Sequence, residues 1–152
     1  MAVMNRPIRL AARALILHLD RLLLVNAYPD GLSDLWCAPG GGAEAHHSLP
    51  DNLIREVHEE TGLTVSVGAP VLINEFHDPS RDFHQVDVYF RCQIVKGRLD
   101  QTWQDPTGVV TERRFFTRAE IEDRTIRFKP DSLARAAWGS SVIYDALEPI
   151  VR

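Results

Sequence analysis

The sequence predicts a mixed fold of the α/β (α+β) class, a mixed β-sheet sandwiched by helices, and three observations carry that prediction. Most of the patterned sequence reads as strand, one capped helix interrupts it near the middle, and a second helical stretch closes it. At 152 residues, with no linker, repeat or low-complexity tract, the chain reads as one domain over 1–152.

Taken in order, "ARALILHLDRLLLVNAY" holds two β-rich apolar runs around Asp20 and Arg21, which predicts a hairpin over 9–18 and 21–27. "PDGLSD" is a loop by its proline, glycine and aspartates. Trp36, Cys37 and Ala38 form a short apolar patch, and the run from Pro39 to Gly42 is expected to break regular structure. Ser48, with Pro50 and Asp51 behind it, is a helix start signal, so a helix is predicted over 49–61 with Gly62 as its left-handed exit. "APVLINEF", "HQVDVYFRCQIV" and "VVTERRFF" are rich in Val, Ile, Phe and Tyr and predict three more strands. Thr117 to Glu120 reads as a capped helical turn. "KPDSLARAAWGSSVIYDALEPIV" predicts a C-terminal helix weakened at Gly139.

Composition excludes several classes. A net charge of −4 argues against a general binder of polymeric nucleic acid or of anionic membranes. The apolar run "LAARALILHL" is too short to span a bilayer and is interrupted by Arg13, and no secretory cleavage site follows it. Cys37 and Cys92 lie far apart and form no CxxC pair, which predicts free thiols in a reducing compartment. A cytoplasmic protein is the expectation.

The chemistry concentrates in "GGGAEAHHSLPDNLIREVHEETGL", residues 40–63. On a helix Glu56, Glu59 and Glu60 stand at i, i+3 and i+4 and share one face. Three neighbouring carboxylates repel one another unless the face is fully solvated, with Arg55 pairing to Glu59, or a cation sits among them. Mg²⁺ and Mn²⁺ favour such oxygen clusters. Gly40, Gly42 and Ala45 match a G-x-G-x-x-A dinucleotide fingerprint, but the helix start at Ser48 comes several residues too late. No Gly-Lys-Ser/Thr follows to make a P-loop. His46, His47 and His58 lack the spacing of a zinc site.

As a whole the segment resembles the signature of the Nudix hydrolases, G-x5-E-x7-R-E-U-x-E-E-x-G-U, where U is bulky and aliphatic. Gly41 takes the first position, and Arg55, Glu56, Val57, Glu59, Glu60, Gly62 and Leu63 follow in register. His47 stands where the pattern has its first glutamate, and His46 where the family favours glycine. The flanking "WCAPGGGAE", "AARALILHLDRLLLV" and "ERRFFTRAEI" extend the resemblance over most of the chain. It implies an α/β/α sandwich whose box forms a loop–helix–loop, and hydrolysis of a nucleoside diphosphate linked to another group with Mg²⁺ or Mn²⁺. It also implies Glu59 and Glu60 as metal ligands, Glu56 as a ligand or as the base that activates water, and Arg55 as the residue orienting the carboxylates. A carbonyl of the Gly40–Gly41 turn completes the inner shell, and Glu112 is the expected later acid. Glu44, three residues before His47, is expected to take over part of the missing glutamate's role. Homodimers are common in the family, though no segment here marks a seam.

For the substrate, Tyr28, Trp36 and Phe76 are candidate stacking partners of a base, against a packing role for each. Arg81, Arg113 and Arg114 are candidate phosphate contacts, against ordinary surface charge. Two rival classes stand beside the enzyme: a Nudix-fold nucleotide sensor that does not cleave, kept open by His47, and an interaction protein whose acidic helix is only solvated surface.

Overall fold

A computed structural model describes residues 6–28 and 31–151. The predicted hairpin is present as β1 (Arg9–His18) and β2 (Arg21–Asn26), paired antiparallel. Its two-residue turn places Leu19 at φ 50° and Asp20 at φ 59°. That is the left-handed geometry a tight hairpin requires, here supplied without glycine.

Two long strands form the centre of the sheet. β5 (Thr64–Asp78) and β6 (Phe83–Lys96) are antiparallel neighbours, and β6 then runs parallel to β1. A parallel pairing needs a long crossover, and α1 (Leu49–Thr61) together with β5 fills it. β7 (Glu112–Thr117) pairs with β2 on the far side. Residues 109–111 do not continue β7 as their apolar sequence suggested. Val110 N–H donates to Asp105 Oδ2, and the segment is held as a loop.

Alternation along β1 separates two cores. Ala12, Ala14 and Ile16 join Leu53 and Val57 of α1 on one face, while Leu15 joins Leu22, Leu24 and Phe116 on the other. That second face is covered by α2 (Arg118–Glu122), started by a full Thr117–Glu120 capping box, and α3 (Leu133–Trp138). The result is the mixed α+β sandwich that the sequence predicts. Cys37 and Cys92 are both free thiols. Among the described residues no helix is long and apolar enough to cross a membrane.

Two further expectations fail. The run Pro39–Gly42 does not break regular structure, because Gly40–Gly42 form β4, paired antiparallel with β1. Glycine is what permits that approach: a Cβ on Gly40, at φ 151°, would lie 2.1 Å from the carbonyl oxygen of Ala12. The C-terminal segment is also not one helix. α3 ends at Gly139, where a Cβ would meet the Arg135 carbonyl at 2.3 Å. The chain then adds β9 (Ile143–Tyr144) and β10 (Glu148–Pro149) to the exposed edge of β5. An open edge of a 15-residue strand leaves many backbone groups unpaired, and that demand outweighs helix propensity in the last segment. A separate pair, β3 (Leu35–Trp36) and β8 (Arg127–Phe128), ties the loop before β4 to the chain's last third.

Candidate active site

The helix α1 is built as its caps predict. Ser48 Oγ accepts from Asp51 N–H at 3.1 Å, and Gly62 closes the helix at φ 77° with its N–H on the His58 carbonyl. Its position on the sheet fixes its carboxylates. Gly41 pairs with Ala12 and so faces α1, and a Cβ there would sit 2.7–2.9 Å from the carboxylate of Glu56. Glu60 is buried, and its Oε2 accepts the Gly40 N–H at 2.9 Å. Gly40 and Gly41 of β4 and the two glutamates therefore form one unit, with the missing glycine side chains providing the space.

Electrostatics make this unit costly when it stands alone. Burial raises the Glu60 carboxyl to about 8, despite help from Arg13 and the Gly40 N–H, and the charges of Glu56 and Asp105 add to the rise. Burial also raises Glu56, opposed by Arg55. Glu59 instead pairs with Arg55, 3.2 Å away, and Arg55 also reaches Glu56 at 3.3 Å and Glu44 at 3.5 Å. Among the described residues no three His, Cys, Asp or Glu side chains converge closely enough to enclose an ion. Glu56 and Glu60 nevertheless fit a hard divalent cation. Both donors are oxygen, burial disfavours the charged form of each, and two carboxylates completed by water and substrate phosphate are a usual Mg²⁺ set.

Several supporting residues were not singled out in the sequence. Asn52, buried on α1, accepts from Glu44 N–H at 2.9 Å and donates to the Ser48 carbonyl at 2.7 Å, tying the box loop to the helix. Trp103 donates from Nε1 to the Glu59 carbonyl at 2.9 Å. Asp105 is the acid whose charge bears on Glu60, but its oxygens already serve Thr107 and Val110 within its own loop. Buried aspartate in a "DPT" turn was the available sequence signal.

On the opposite face of the sheet lies a cleft of about 140 Å³ between β1, β5, β6 and the chain's tail. Gly40 pairs with Arg13, whose side chain lines this cleft. Arg13 Nε donates to the buried Asp87 at 3.3 Å, and Nη1 donates to the Ala38 carbonyl. Burial works against the Arg13 charge, yet Asp87 and its anionic neighbours hold its pKa above the ordinary value. Asp87 also accepts from Gln85, which in turn accepts from Arg9. β4 therefore stands between the carboxylates and the cleft.

The remaining sequence candidates scatter. Tyr28 and Phe76 line the cleft. Trp36 does not: its ring packs edge-on against Phe116 at 5.0 Å as part of the core. Arg81 sits exposed in the turn joining β5 to β6, 3.7 Å from Asp78, and lines neither the cleft nor the carboxylate unit. Arg113 is buried and meets no surface. It donates to the carbonyls of Glu60, Trp103 and Val110 and so caps the C-terminus of α1. Arg114 pairs with Glu120 at 3.0 Å. Glu112 is exposed on β7, where strand alternation turns its neighbour Arg113 toward α1 instead. Glu44 acts on Arg55 in this structure. His47 is exposed, and His46 adopts φ 69°, the conformation for which glycine is the natural residue.

Comparisons with known proteins bear on the family and the fold. The NUDIX domain matches residues 7–136. Human diphosphoinositol polyphosphate phosphohydrolase 3-alpha is 30% identical over 106 residues, 68% of this chain and 57% of its own length. The chain thus spans somewhat over half of that relative. A NUDIX hydrolase from Nitrosomonas europaea superposes with a TM-score of 0.68 at 25% identity, covering 82% of each chain. A UDP-X diphosphatase superposes at 0.70 over 94% of this chain and 70% of its own, with 18% identity, a likeness of fold.

Proposed function

The chain belongs to the NUDIX family, and from that premise we propose that it hydrolyses the phosphoanhydride of a nucleoside diphosphate linked to another group, with Mg²⁺ or Mn²⁺. The observation that carries the reading is the pair Glu56 and Glu60 folded against Gly40 and Gly41 of β4, two carboxylates whose charge burial disfavours without a cation. The cation, when bound, supplies charge neutralisation to the diphosphate oxygens and acidifies a water. Glu60, in its carboxylate form, would hold the cation. Glu56, half-buried and raised above the ordinary glutamate value, is the residue to hold a proton taken from the attacking water. Arg55 fixes Glu56 and Glu59, and Glu44 steadies Arg55 in place of the glutamate that His47 replaces. We take Glu59 as a ligand once Arg55 releases it, and the enzyme as a cytoplasmic single domain acting on small nucleotides.

The cleft bears on the substrate. The human relative's name specifies a polyphosphorylated inositol, but here Arg13 is neutralised by Asp87 and Lys129 pairs with Asp131 at 3.3 Å. Such a cleft suits a neutral ring better than a polyanion. The test is product analysis after incubation with Mg²⁺ or Mn²⁺ and a panel of nucleoside diphosphate sugars, ADP-ribose, dinucleoside polyphosphates, nucleoside triphosphates and diphosphoinositol phosphate. Metal-dependent cleavage of a nucleotide, reduced roughly 10²–10⁴-fold in Glu56→Gln, is expected. Binding without turnover of any nucleotide would replace the enzyme with the sensor reading.

A further inference from the structure

The cleft behind β4 presents polar groups that its own chain leaves free to bond. Tyr89 is 3% exposed as a whole residue, but its side chain lines the cleft and its hydroxyl, which is not among the buried unpaired atoms, opens on it with no hydrogen-bond partner among the described residues. A hydroxyl on a cleft wall that no neighbour engages is available to a ligand as both donor and acceptor. Burial, with Asp87 adding to it, holds the Tyr89 phenol well above its usual pKa, so the group stays neutral and both donates and accepts. Register places Tyr89 directly beside Arg13, and Asn74 beside Asp87 one step along the same face.

The neighbours complete a pattern. Arg13 commits Nε to Asp87 and Nη1 to Ala38, which leaves Nη2 as a donor. Asn74 commits Nδ2 to Asp145 Oδ2 at 3.0 Å, which leaves Oδ1 as an acceptor. Tyr28 and Phe76 provide flat apolar walls. The cleft thus offers a donor, a hydroxyl and an acceptor beside aromatic surface, in a site whose two cations, Arg13 and Lys129, are already paired with aspartates.

We propose that this cleft binds a nucleobase with a ring carbonyl beside a ring N–H, the edge of guanine and uracil, and that Tyr89 and Arg13 determine that choice. The carbonyl oxygen accepts from Arg13 Nη2 and the Tyr89 hydroxyl, and the ring N–H donates to Asn74 Oδ1. Adenine and cytosine put an amino group where guanidinium, which has no acceptor, needs an oxygen. Two donors then face each other unpaired, a mismatch that costs roughly ten- to a hundredfold in affinity. This inference rests on the nucleotide reading above and assigns the base within it.

The test is equilibrium binding of GMP, UMP, AMP and CMP in EDTA by calorimetry, with ribose 5-phosphate as the control lacking a base. It is run on the whole protein and on Tyr89→Phe, which keeps the buried ring. GMP and UMP are expected to bind at least about tenfold more tightly than AMP and CMP. Tyr89→Phe should lose roughly five- to twentyfold for GMP and UMP and nothing for ribose 5-phosphate, with an unchanged melting curve. Equal affinity for all four nucleotides, a preference for AMP or CMP, no nucleotide binding at millimolar concentration, or equal binding of ribose 5-phosphate would each overturn the assignment. Base-selective binding without turnover in the substrate panel would sink the hydrolase reading and leave this one standing; turnover without base selectivity would do the reverse.

Discussion

Replacing Glu60 by glutamine removes a titration while keeping the shape of the site. The glutamine side chain has nearly the volume of the protonated acid and retains an oxygen for the Gly40 N–H. In the metal-free protein burial raises Glu60 from 4.5 to about 8, whereas the unfolded chain ionises it near the ordinary value. Folding then favours the protonated acid. Its contribution is complete below about pH 4.5, declines as pH rises and is lost through pH 8. Each pH unit of that window is worth about 1.4 kcal/mol, so the loss is on the order of 5 kcal/mol. Only 7% of Glu60 is exposed, so solvent does little to screen this. Thermal unfolding in EDTA from pH 4.5 to 9 measures it. Wild type and Glu60→Gln should melt together near pH 4.5. The variant should gain steadily above that, reaching roughly 10 °C by pH 8.5 for a domain of this size. Parallel curves across the whole range would refute the burial argument, and with it the reason for expecting a cation.

Gly41→Ala should leave melting within about 1 kcal/mol of wild type, because the new Cβ meets only the mobile end of Glu56. It should lower kcat/KM for the nucleotide substrate roughly 100-fold by moving that carboxylate. Leu19→Asn should stabilise by about 1 kcal/mol in urea titration, since asparagine tolerates the positive φ of the hairpin turn better than leucine. Arg113→Met should destabilise by about 3 kcal/mol on the same measure, because three carbonyls around the end of α1 lose their donor.

Local signals carried much of the structure. Ser48, Asp51 and Gly62 bounded α1 to the residue, because caps act through atoms only a few positions apart. The capped turn at Thr117 marked the start of α2, which runs on to Glu122, and the two runs around Asp20 placed the hairpin to within a residue. The spacing of Arg55, Glu56, Glu59 and Glu60 likewise pointed to one functional face, since a helix converts sequence interval into direction. The last segment escaped because its fate depended on the bare edge of β5, a strand far earlier in the chain.

What the sequence determined by itself was therefore the hairpin, the long central strands, the family resemblance and the helix that carries the glutamates. What the tertiary structure decided was the use of each side chain. Glu60 became a buried acid only because Gly40 and Gly41 form a strand against Ala12 and let α1 come close. Arg113 became a helix cap and Trp36 a core residue through burial against partners distant in sequence. The cleft groups Arg13, Asn74 and Tyr89 lie on three different strands, and strand register alone sets them side by side. Such meetings leave no periodic trace in a single chain, because they depend on which strands neighbour one another and in what register.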